Sequence, residues 1–385
     1  MAKLHEKYQL TITTLTPLHI GTGDILRRDF DYVVHNGKTW VIDAAVLAEM
    51  LYSQDPNEFE RMVQGVPASQ LIRPDEYVSD NPLFRYIMPG EPRAQGRGAE
   101  LQEQLKDVWD QPYIPGSSLK GALRTGIGFV LAQQRKRAFN PENDMNKGRN
   151  PKIAAKPLED TLYSTDKGRY DRKAPNYRKA PNYDIMRAVQ VGDSAPDQEK
   201  QLRLINVQVF TGEKPGSPIK VEAIPENRTF TAPLTLDGFL LNDAVQAQLG
   251  WSKDQVRDIK HLPVVMNSWT KSRLAQDFDR KRWGQWRSTF ATIVKQITEN
   301  YLDKDEFIMQ LGWGGGWDSK TFGAYLTEDP KTFAQVMEKY KGQMDRKRSF
   351  KKGDRFPKSR RVVVDRAGEP AAPLGWIKVK MERVP

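Results

Sequence analysis

The sequence predicts an α+β fold, because segments with strand and helix periodicity interleave along the chain. Residues 8–14 alternate apolar and polar side chains, as a half-buried strand does. The dipeptide Asn36-Gly37 separates two short β-rich runs, which is the strongest local signal of a hairpin. A helical apolar stripe follows later, formed by Leu119, Leu123, Ile127 and Val130. No early Gly-x-Gly-x-x-Gly joins a strand to a helix, so a dinucleotide-binding fold is not expected.

The predicted elements follow from periodicity and from capping residues. Asp43 is a good N-cap for the helix after the hairpin. In chain order we predict a strand at 8–14, hairpin strands at 31–35 and 38–42, a helix at 44–52, a helix from Ser117 or Ser118 to Gln134, strands at 202–211, 219–223 and 229–236, a helix at 266–301, a strand at 307–311, a helix at 330–340 and a strand at 376–384. The apolar stripe of the long helix consists of Trp269, Leu274, Phe278, Trp283, Trp286, Phe290, Ile293 and Ile297.

The charge of the chain is concentrated in two segments. The 385 residues carry 60 Lys and Arg against 49 Asp and Glu, a formal net charge of +11. Residues 133–187 hold 14 basic and 7 acidic side chains, and residues 341–361 hold 10 and 2. The rest of the chain therefore sums to −4. Both segments are typical of loops or insertions, and their excess charge favours a nucleic-acid partner.

The first basic segment contains a tandem hexapeptide. Residues 172–177 read Arg-Lys-Ala-Pro-Asn-Tyr, and residues 178–183 repeat them. One interpretation is a solvated loop that tolerates changes of length. The other is a flexible arm whose basic side chains bind phosphate while Tyr177 and Tyr183 stack on bases.

The composition excludes several classes of site. There is no Cys, so disulfides, thiolate nucleophiles and Cys-based metal sites are ruled out. The four His residues are not at metal-ligand spacings, and we expect neither a metal nor a cofactor. Residues 1–9 lack the apolar centre of a signal peptide, and no run of eighteen apolar residues occurs. We therefore expect a cytoplasmic protein without a membrane partner.

The first glycine-bearing segment is residues 16–23, Thr-Pro-Leu-His-Ile-Gly-Thr-Gly, directly after the first strand. Gly21 and Gly23 leave bare backbone that a ligand can approach closely. His19 has two interpretations. It is either a core side chain with a structural hydrogen bond, which we favour, or an RNA contact or acid–base group.

The second segment, residues 114–124, opens the predicted helix at 117–134. Gly116, Ser117 and Ser118 precede or begin the helix, where free backbone N–H groups form an anion site. Lys120 and Arg124 are four residues apart and share a helix face. These groups would form a phosphate clamp, and the equally weighted alternative is an ordinary capped helix with solvated cations.

The third segment, residues 312–321, is Gly-Trp-Gly-Gly-Gly-Trp-Asp-Ser-Lys-Thr. Backbone N–H groups at Gly314, Gly315 and Gly316 could wrap a phosphate, with Lys320 nearby and flanking Trp side chains for stacking. The segment nearly matches a P-loop, but Ser319 replaces the required Gly. The structural alternative is a tight turn between a strand and a helix.

Together and in this order, the three segments resemble the RAMP superfamily of CRISPR-associated proteins. More narrowly, they are similar to the type III-A, Csm-type effector subunit that caps the crRNA 3′ end. The resemblance implies two ferredoxin-like (RRM-like) domains, at 1–200 with the basic insertion at about 133–187, and at 201–385 with the glycine loop at 312–323 and the basic segment at 341–361. The RNA-binding residues it suggests are His19, Gly21, Gly23, Ser117, Ser118, Lys120, Arg124, Gly314, Gly315, Gly316 and Lys320.

The resemblance also implies a function and a set of partners. The subunit would bind crRNA without cutting it, contact adjacent RAMP backbone subunits and meet target RNA only indirectly. It would support guide 3′-end maturation by recruited host nucleases, and thereby antiviral defence.

Two other functions compete with this scaffold. The first is an endoribonuclease that processes repeat RNA, with His19 and Lys120 or Tyr113 as acid and base. A metal-dependent version would use Asp24, Asp29 and Asp31. The second is a protein–protein capping module that barely touches RNA.

Overall fold

The computed structural model describes most of the chain. The described residues are 5–93, 99–134, 140, 144–145, 154–164, 182–211, 214–277, 303–321, 323–326, 329–344, 357 and 359–385. Much of both basic segments, most of the tandem hexapeptide and the distal part of the predicted helix at 266–301 lie outside them. The stripe residues outside the described residues are Phe278, Trp283, Trp286, Phe290, Ile293 and Ile297.

Strands and helices alternate along the described residues, as predicted. The strands are β1 (His5–Thr14), β2 (Gly21–Arg27), β3 (Tyr32–His35), β4 (Lys38–Ile42), β5 (Phe84–Pro89), β6 (Glu100–Gln104), β7 (Val189–Val191), β8 (Arg203–Thr211), β9 (Lys214–Ala223), β10 (Thr229–Asp237), β11 (Glu306–Gln310), β12 (Ser359–Val364), β13 (Pro370–Ala372) and β14 (Trp376–Arg383). The helices are α1 (Ala44–Gln54), α2 (Pro56–Val63), α3 (Gly116–Gln134), α4 (Lys156–Tyr163), α5 (Asp243–Leu249), α6 (Lys253–Lys260), α7 (Leu262–Asp277), α8 (Gly316–Lys320), α9 (Gly323–Leu326) and α10 (Pro330–Met344).

A five-stranded antiparallel sheet, in the order β11-β14-β1-β10-β7, forms the centre of the described structure. Its middle strand β1 buries alternate side chains such as Leu10 and Ile12, as its sequence pattern predicts. Helix α3 packs against α7 and β7. All four members of its predicted apolar stripe are buried in the same core.

A second sheet has six strands in the order β13-β12-β8-β9-β6-β2. Its pairings are antiparallel except for β6 with β9. The connection from β1 to β2 carries residues 16–23 from the first sheet to the second. A bridge between Leu18 and Ile224 fixes this connection on the end of β9. The first glycine-bearing segment is therefore held between the two sheets.

A third, smaller sheet has the order β3-β4-β5 and a separate hydrophobic core with α1 and α2. The predicted hairpin is confirmed: β3 pairs antiparallel with β4, and both turn residues, Asn36 and Gly37, have positive φ of 49° and 71°. This is the backbone requirement of a type I′ turn. The predicted cap is confirmed as well, since the Asp43 side chain accepts from Ala45 N and Val46 N.

The structure confirms an α+β fold and adjusts some boundaries. The helix predicted to begin at residue 266 begins at Leu262. The two larger sheets each combine strands from both sides of residue 200, since β1 pairs with β10 and β14 in the first and β6 pairs with β9 in the second. The division into domains at 1–200 and 201–385 stays a prediction. Among the described residues, none of the helices combines the length and apolar character that crossing a bilayer requires.

Candidate nucleic-acid interface

The structure brings the first and third glycine-bearing segments into direct contact. The backbone N–H of Trp313 donates to the His19 carbonyl oxygen over 2.8 Å. The indole of Trp313 lies edge-on to the His19 imidazole, with centroids 5.8 Å apart. Helix α8, which begins inside the glycine loop, packs on α3 of the second segment. The three segments therefore lie next to one another in the fold.

The glycine loop begins where β11 ends, and its backbone requires glycine. Gly312 has φ of +72°, and a Cβ there would lie 2.4 Å from the His19 carbonyl oxygen. Gly316 has φ of +63° but open space around the position of a Cβ. Glycine at position 312 thus allows the loop to pack closely on residues 16–23. At position 316 glycine is favoured only because the backbone is left-handed. Gly314 and Gly315 are buried and Gly316 is half-buried.

His19 lies in the core, with about 1 % of its surface exposed. Its Nδ1 lies 2.7 Å from the Glu222 carbonyl oxygen, and because a carbonyl only accepts, Nδ1 carries the proton. Burial lowers the pKa of His19 to about 4, so the ring is uncharged at neutral pH. Lys120 and Tyr113 are not among the contacts described for His19. The structure therefore supports the structural interpretation of this residue.

A buried polar network underlies the same segment. The Glu222 carboxylate is fully buried and accepts from Tyr86 Oη at 2.7 Å and from Lys106 Nζ at 2.7 Å. It also accepts from Gln104 N at 2.9 Å, while the Gln104 Oε1 accepts from Ile20 N at 2.9 Å. Burial and the nearby carboxylate of Glu222 raise the pKa of Tyr86. This network fixes residues 16–23 on the second sheet.

Beside the glycine loop, an aromatic ring and two exposed cations form what we call the loop cluster: Trp313, Lys320 and Arg361. The guanidinium carbon of Arg361, on β12, lies 4.6 Å from the Trp313 ring centroid. Loss of hydration and the positive charge of Arg361 lower the pKa of Lys320. Among the described residues, neither cation has a carboxylate within 4.0 Å. Both charges are therefore available to an anionic ligand.

Arg360, next to Arg361, binds residues of the protein itself. Its guanidinium pairs with the buried Asp318 carboxylate of α8 and lies 3.3 Å from the Gly315 carbonyl oxygen. It thus fastens the glycine loop to the second sheet. The sequence predicted the basic character of residues 341–361 but not the contact of their last two residues with the glycine loop. Only the fold brings residues that far apart in sequence together.

The start of α3 is occupied by a side chain of the protein itself. The backbone N–H of Gly116 donates to the Asp193 carboxylate over 2.7 Å, and the N–H groups of Ser118 and Leu119 donate to the Pro115 carbonyl. Ser117 is exposed and Ser118 is half-buried. The expectation of free N–H groups is therefore wrong for Gly116, which the distant Asp193 carboxylate caps, and for Ser118, which bonds to the Pro115 carbonyl.

Arg124 is likewise engaged within the protein. Its guanidinium donates to Asp184 over 2.7 Å, lies 3.9 Å from Glu159 and stacks 3.7 Å from the Tyr163 ring centroid. The pKa of the half-buried Lys120 is lowered by burial and by the charge of Arg124, although Asp184 opposes this. The alternative in which both cations of this helix are solvated is therefore wrong for Arg124. An RNA-binding role for either residue stays a prediction.

The three Asp residues after the first strand do not form a metal site. Asp31 accepts from Arg27 N at 2.7 Å, and Asp29, at φ of +68°, forms an ion pair with Arg28 at 3.9 Å. Asp24 is exposed. Within the described ranges there is no group of three or more His, Cys, Asp or Glu side chains arranged to hold a metal ion. Asp29 and Asp31 instead form part of the loop before β3.

The chain matches the model of the RAMP superfamily over residues 11–363. It is 26 % identical over 252 residues to the CRISPR system Cms protein Csm5 of Streptococcus thermophilus, a match that covers 60 % of this chain and 62 % of that protein. It is 22 % identical to Csm5 of Mycobacterium tuberculosis, over 88 % of each chain.

Two solved structures share the fold. A chain of the Csm–crRNA–target RNA ternary complex of a type III-A CRISPR-Cas system has a TM-score of 0.68 and 22 % identity, covering 97 % of this chain and 100 % of the other. Csm5 of T. onnurineus has a TM-score of 0.64 and 21 % identity, covering 95 % of this chain and 99 % of the other. Because the family model spans most of the sequence, this chain belongs to the RAMP superfamily.

Proposed function

We propose that this protein is a non-catalytic crRNA-binding subunit of a type III-A CRISPR effector complex, which caps the backbone filament at the crRNA 3′ end. The loop cluster carries this proposal, because it offers two exposed cations and a half-buried indole beside a glycine loop. Relatives named Csm5 and the similar fold in a Csm–crRNA–target RNA complex support the choice of complex.

The loop cluster suits a guide whose sequence varies. Phosphate contacts provide affinity without reading bases, and stacking on an indole accepts any base because each has a π-face. Lys320 and Arg361 would bind successive phosphates while Trp313 supports a base or a ribose. This mode of binding gives affinity that is independent of spacer sequence and strongly dependent on salt.

The remaining parts of the proposal concern partners and architecture. The subunit would contact adjacent RAMP backbone subunits in the cytoplasm, meet target RNA indirectly and support trimming of the guide by recruited host nucleases, and so antiviral defence. Two ferredoxin-like units would form its core. The environment of His19 supports a non-catalytic role, since the ring is buried, uncharged and bonded to a backbone carbonyl.

Binding of a labelled RNA, measured from low to moderate salt, tests the proposal. We expect the variant Lys320→Glu/Arg361→Glu to bind weaker, with a slope of log Kd against log salt reduced by about two, or about one per phosphate contact. Lys38→Glu/Lys253→Glu, at two exposed positions outside the loop cluster, changes the net charge by the same amount and is the matched control. If both variants bind RNA with equal affinity and equal salt slope, the loop cluster does not bind RNA and its assignment is overturned.

The same samples test the alternative of a RAMP-type endoribonuclease. Repeat RNA incubated with the purified chain, with Mg²⁺ and with EDTA, is expected to stay intact. Cleavage at one position that His19→Ala abolishes would establish the endoribonuclease and overturn the scaffold.

A further inference from the structure

Two adjacent apolar side chains stand exposed between β6 and α3. Val108 is 89 % exposed and Trp109 is 69 % exposed, the highest values among the large hydrophobic residues described. The RNA-binding proposal uses neither of them. We call the turn formed by residues 106–112 the Trp109 turn.

The Trp109 turn has a well-defined backbone. Asp107 Oδ1 accepts from Trp109 N and from Gln111 N, both at 2.9 Å, and Asp107 N donates to the Gln111 carbonyl over 3.0 Å. Lys106 and Pro112 form a bridge at its base. The turn thus presents its two apolar side chains from a backbone that is already fixed, which lowers the entropic cost of an interface.

Side-chain ion pairs anchor the turn to the body of the protein. Asp110, at φ of +60°, accepts two hydrogen bonds from the guanidinium of Arg85, at 2.5 and 3.1 Å. Lys106 reaches into the protein to Glu222 at 2.7 Å and to Glu103 at 3.2 Å, and its side chain is only 3 % exposed. The ammonium group of Lys106 is therefore buried and neutralised, and the guanidinium of Arg85 is neutralised by Asp110.

The charge around Trp109 favours one class of partner over another. Asp110 is paired with Arg85, while Glu103 and Glu222 share the single cation Lys106. Together with Asp107, these four carboxylates and two cations sum to −2. A phosphate backbone would meet net negative charge here. On a protein surface, an apolar pocket could accommodate Val108 and Trp109, and Lys or Arg side chains at its rim would attract the carboxylates of the turn.

We propose that the Trp109 turn docks into an apolar pocket with a basic rim on a neighbouring protein subunit of the effector complex. The inference rests on the proposed function for the existence of that neighbour. Large exposed aromatic anchors dominate the energetics of protein interfaces, and Trp is the most enriched residue among them. The loop cluster would then bind the guide while the Trp109 turn binds the adjoining subunit.

The test is reconstitution of the full chain with guide RNA and the other subunits of its complex, followed by native mass spectrometry and affinity measurement. We expect Trp109→Ala to weaken association by about 30-fold or more, which is the size of an interface hot spot. Phe239→Ala, 57 % exposed at the end of β10, is the matched control and should associate as the wild type does. Asp107→Asn keeps the oxygen that accepts in the turn and should reduce the salt dependence of association.

Each outcome separates this inference from the proposed function. If the wild type and Trp109→Ala associate equally well, the docking inference is wrong and the proposed function stands. If Trp109→Ala instead lowers the RNA affinity of the isolated chain, the turn contacts a nucleotide and not a protein. If the wild type joins no such complex, the proposed function fails and the inference fails with it.

Discussion

Trp313 donates its backbone N–H to the carbonyl oxygen of His19, and the two side-chain rings stand nearly perpendicular, at 89°, with centroids 5.8 Å apart. This contact joins the segment after the first strand to the glycine loop after β11, nearly three hundred residues later. It also orients the indole on which Arg361 lies. The buried His19 therefore helps to fix the position of the Trp313 indole in the loop cluster.

Gly312→Ala should destabilise the protein by about 3 kcal/mol or more. The new Cβ would lie 2.4 Å from the His19 carbonyl oxygen, and φ of +72° is strained for alanine. Gly316→Ala has the strained φ without the collision, so we expect a loss of about 1 kcal/mol. Urea denaturation measures both variants. Equal losses would contradict the close packing of the glycine loop on residues 16–23.

The stability of the protein should fall in acid partly because of His19. The folded-state pKa is about 4 against about 6.5 in the unfolded chain, so the unfolded state binds the proton first as pH falls. The stabilisation from the neutral ring is fully present above pH 6.5 and is lost between pH 6.5 and 4, on the order of 3 kcal/mol. His19→Asn, which retains a side-chain N–H donor, should show a flatter pH dependence in that window.

NMR titration checks the same pKa directly, because only four His residues contribute imidazole signals. We expect the His19 signals not to shift above pH 5. A midpoint near 6.5 would mean that the ring is solvated and would reopen its role as an acid–base group.

Glu222→Gln should cost on the order of 3–5 kcal/mol, because it leaves the buried ammonium of Lys106 without one of its two carboxylates. Lys106→Met should be destabilising as well, since it leaves Glu222 uncompensated. The double variant Glu222→Gln/Lys106→Met should be more stable than the sum of the single losses predicts. Strict additivity in this double-mutant cycle would show that the 2.7 Å pair does not couple the two residues.

Arg124→Glu should destabilise the protein by about 2–4 kcal/mol, since it removes the ion pair with Asp184 and brings a third carboxylate near Asp184 and Glu159. Thermal and chemical denaturation measure this loss. Lys120→Glu, which breaks no described ion pair, should cost less and is therefore the cleaner test of an RNA contact on α3. A fully stable Arg124→Glu protein would mean that the guanidinium is solvated and free to bind phosphate.

The fold was predictable where local patterns decide structure. The hairpin at Asn36-Gly37, the Asp43 cap and the apolar stripe of α3 depend on residues within a few positions of each other, and each is confirmed. The order of strands in the sheets was not predictable, because β1 pairs with strands more than two hundred residues away.

The candidate site shows the same limit. Sequence reasoning named Lys320 and the glycine loop but missed Arg361 as the cation over Trp313. Arg361 lies on β12 of the second sheet, whereas Trp313 follows β11 of the first, so only the fold brings them together. It weighed Arg124 as a phosphate ligand or a solvated cation and missed its ion pair, because Asp184 lies 60 positions away in a segment with no periodicity. No local signal identifies Glu222 as a buried acid, since it lies between two apolar residues, as a solvent-facing polar residue of a strand does.

The most direct test of the central claim is photo-cross-linking of an RNA containing 4-thiouridine to the protein, with the attached residues mapped by mass spectrometry. The loop cluster predicts cross-links on residues 312–321 and on the start of β12, with Trp313 among the attached residues. Their absence there, with efficient cross-linking confined to other parts of the chain, would contradict the claim that this cluster binds the guide.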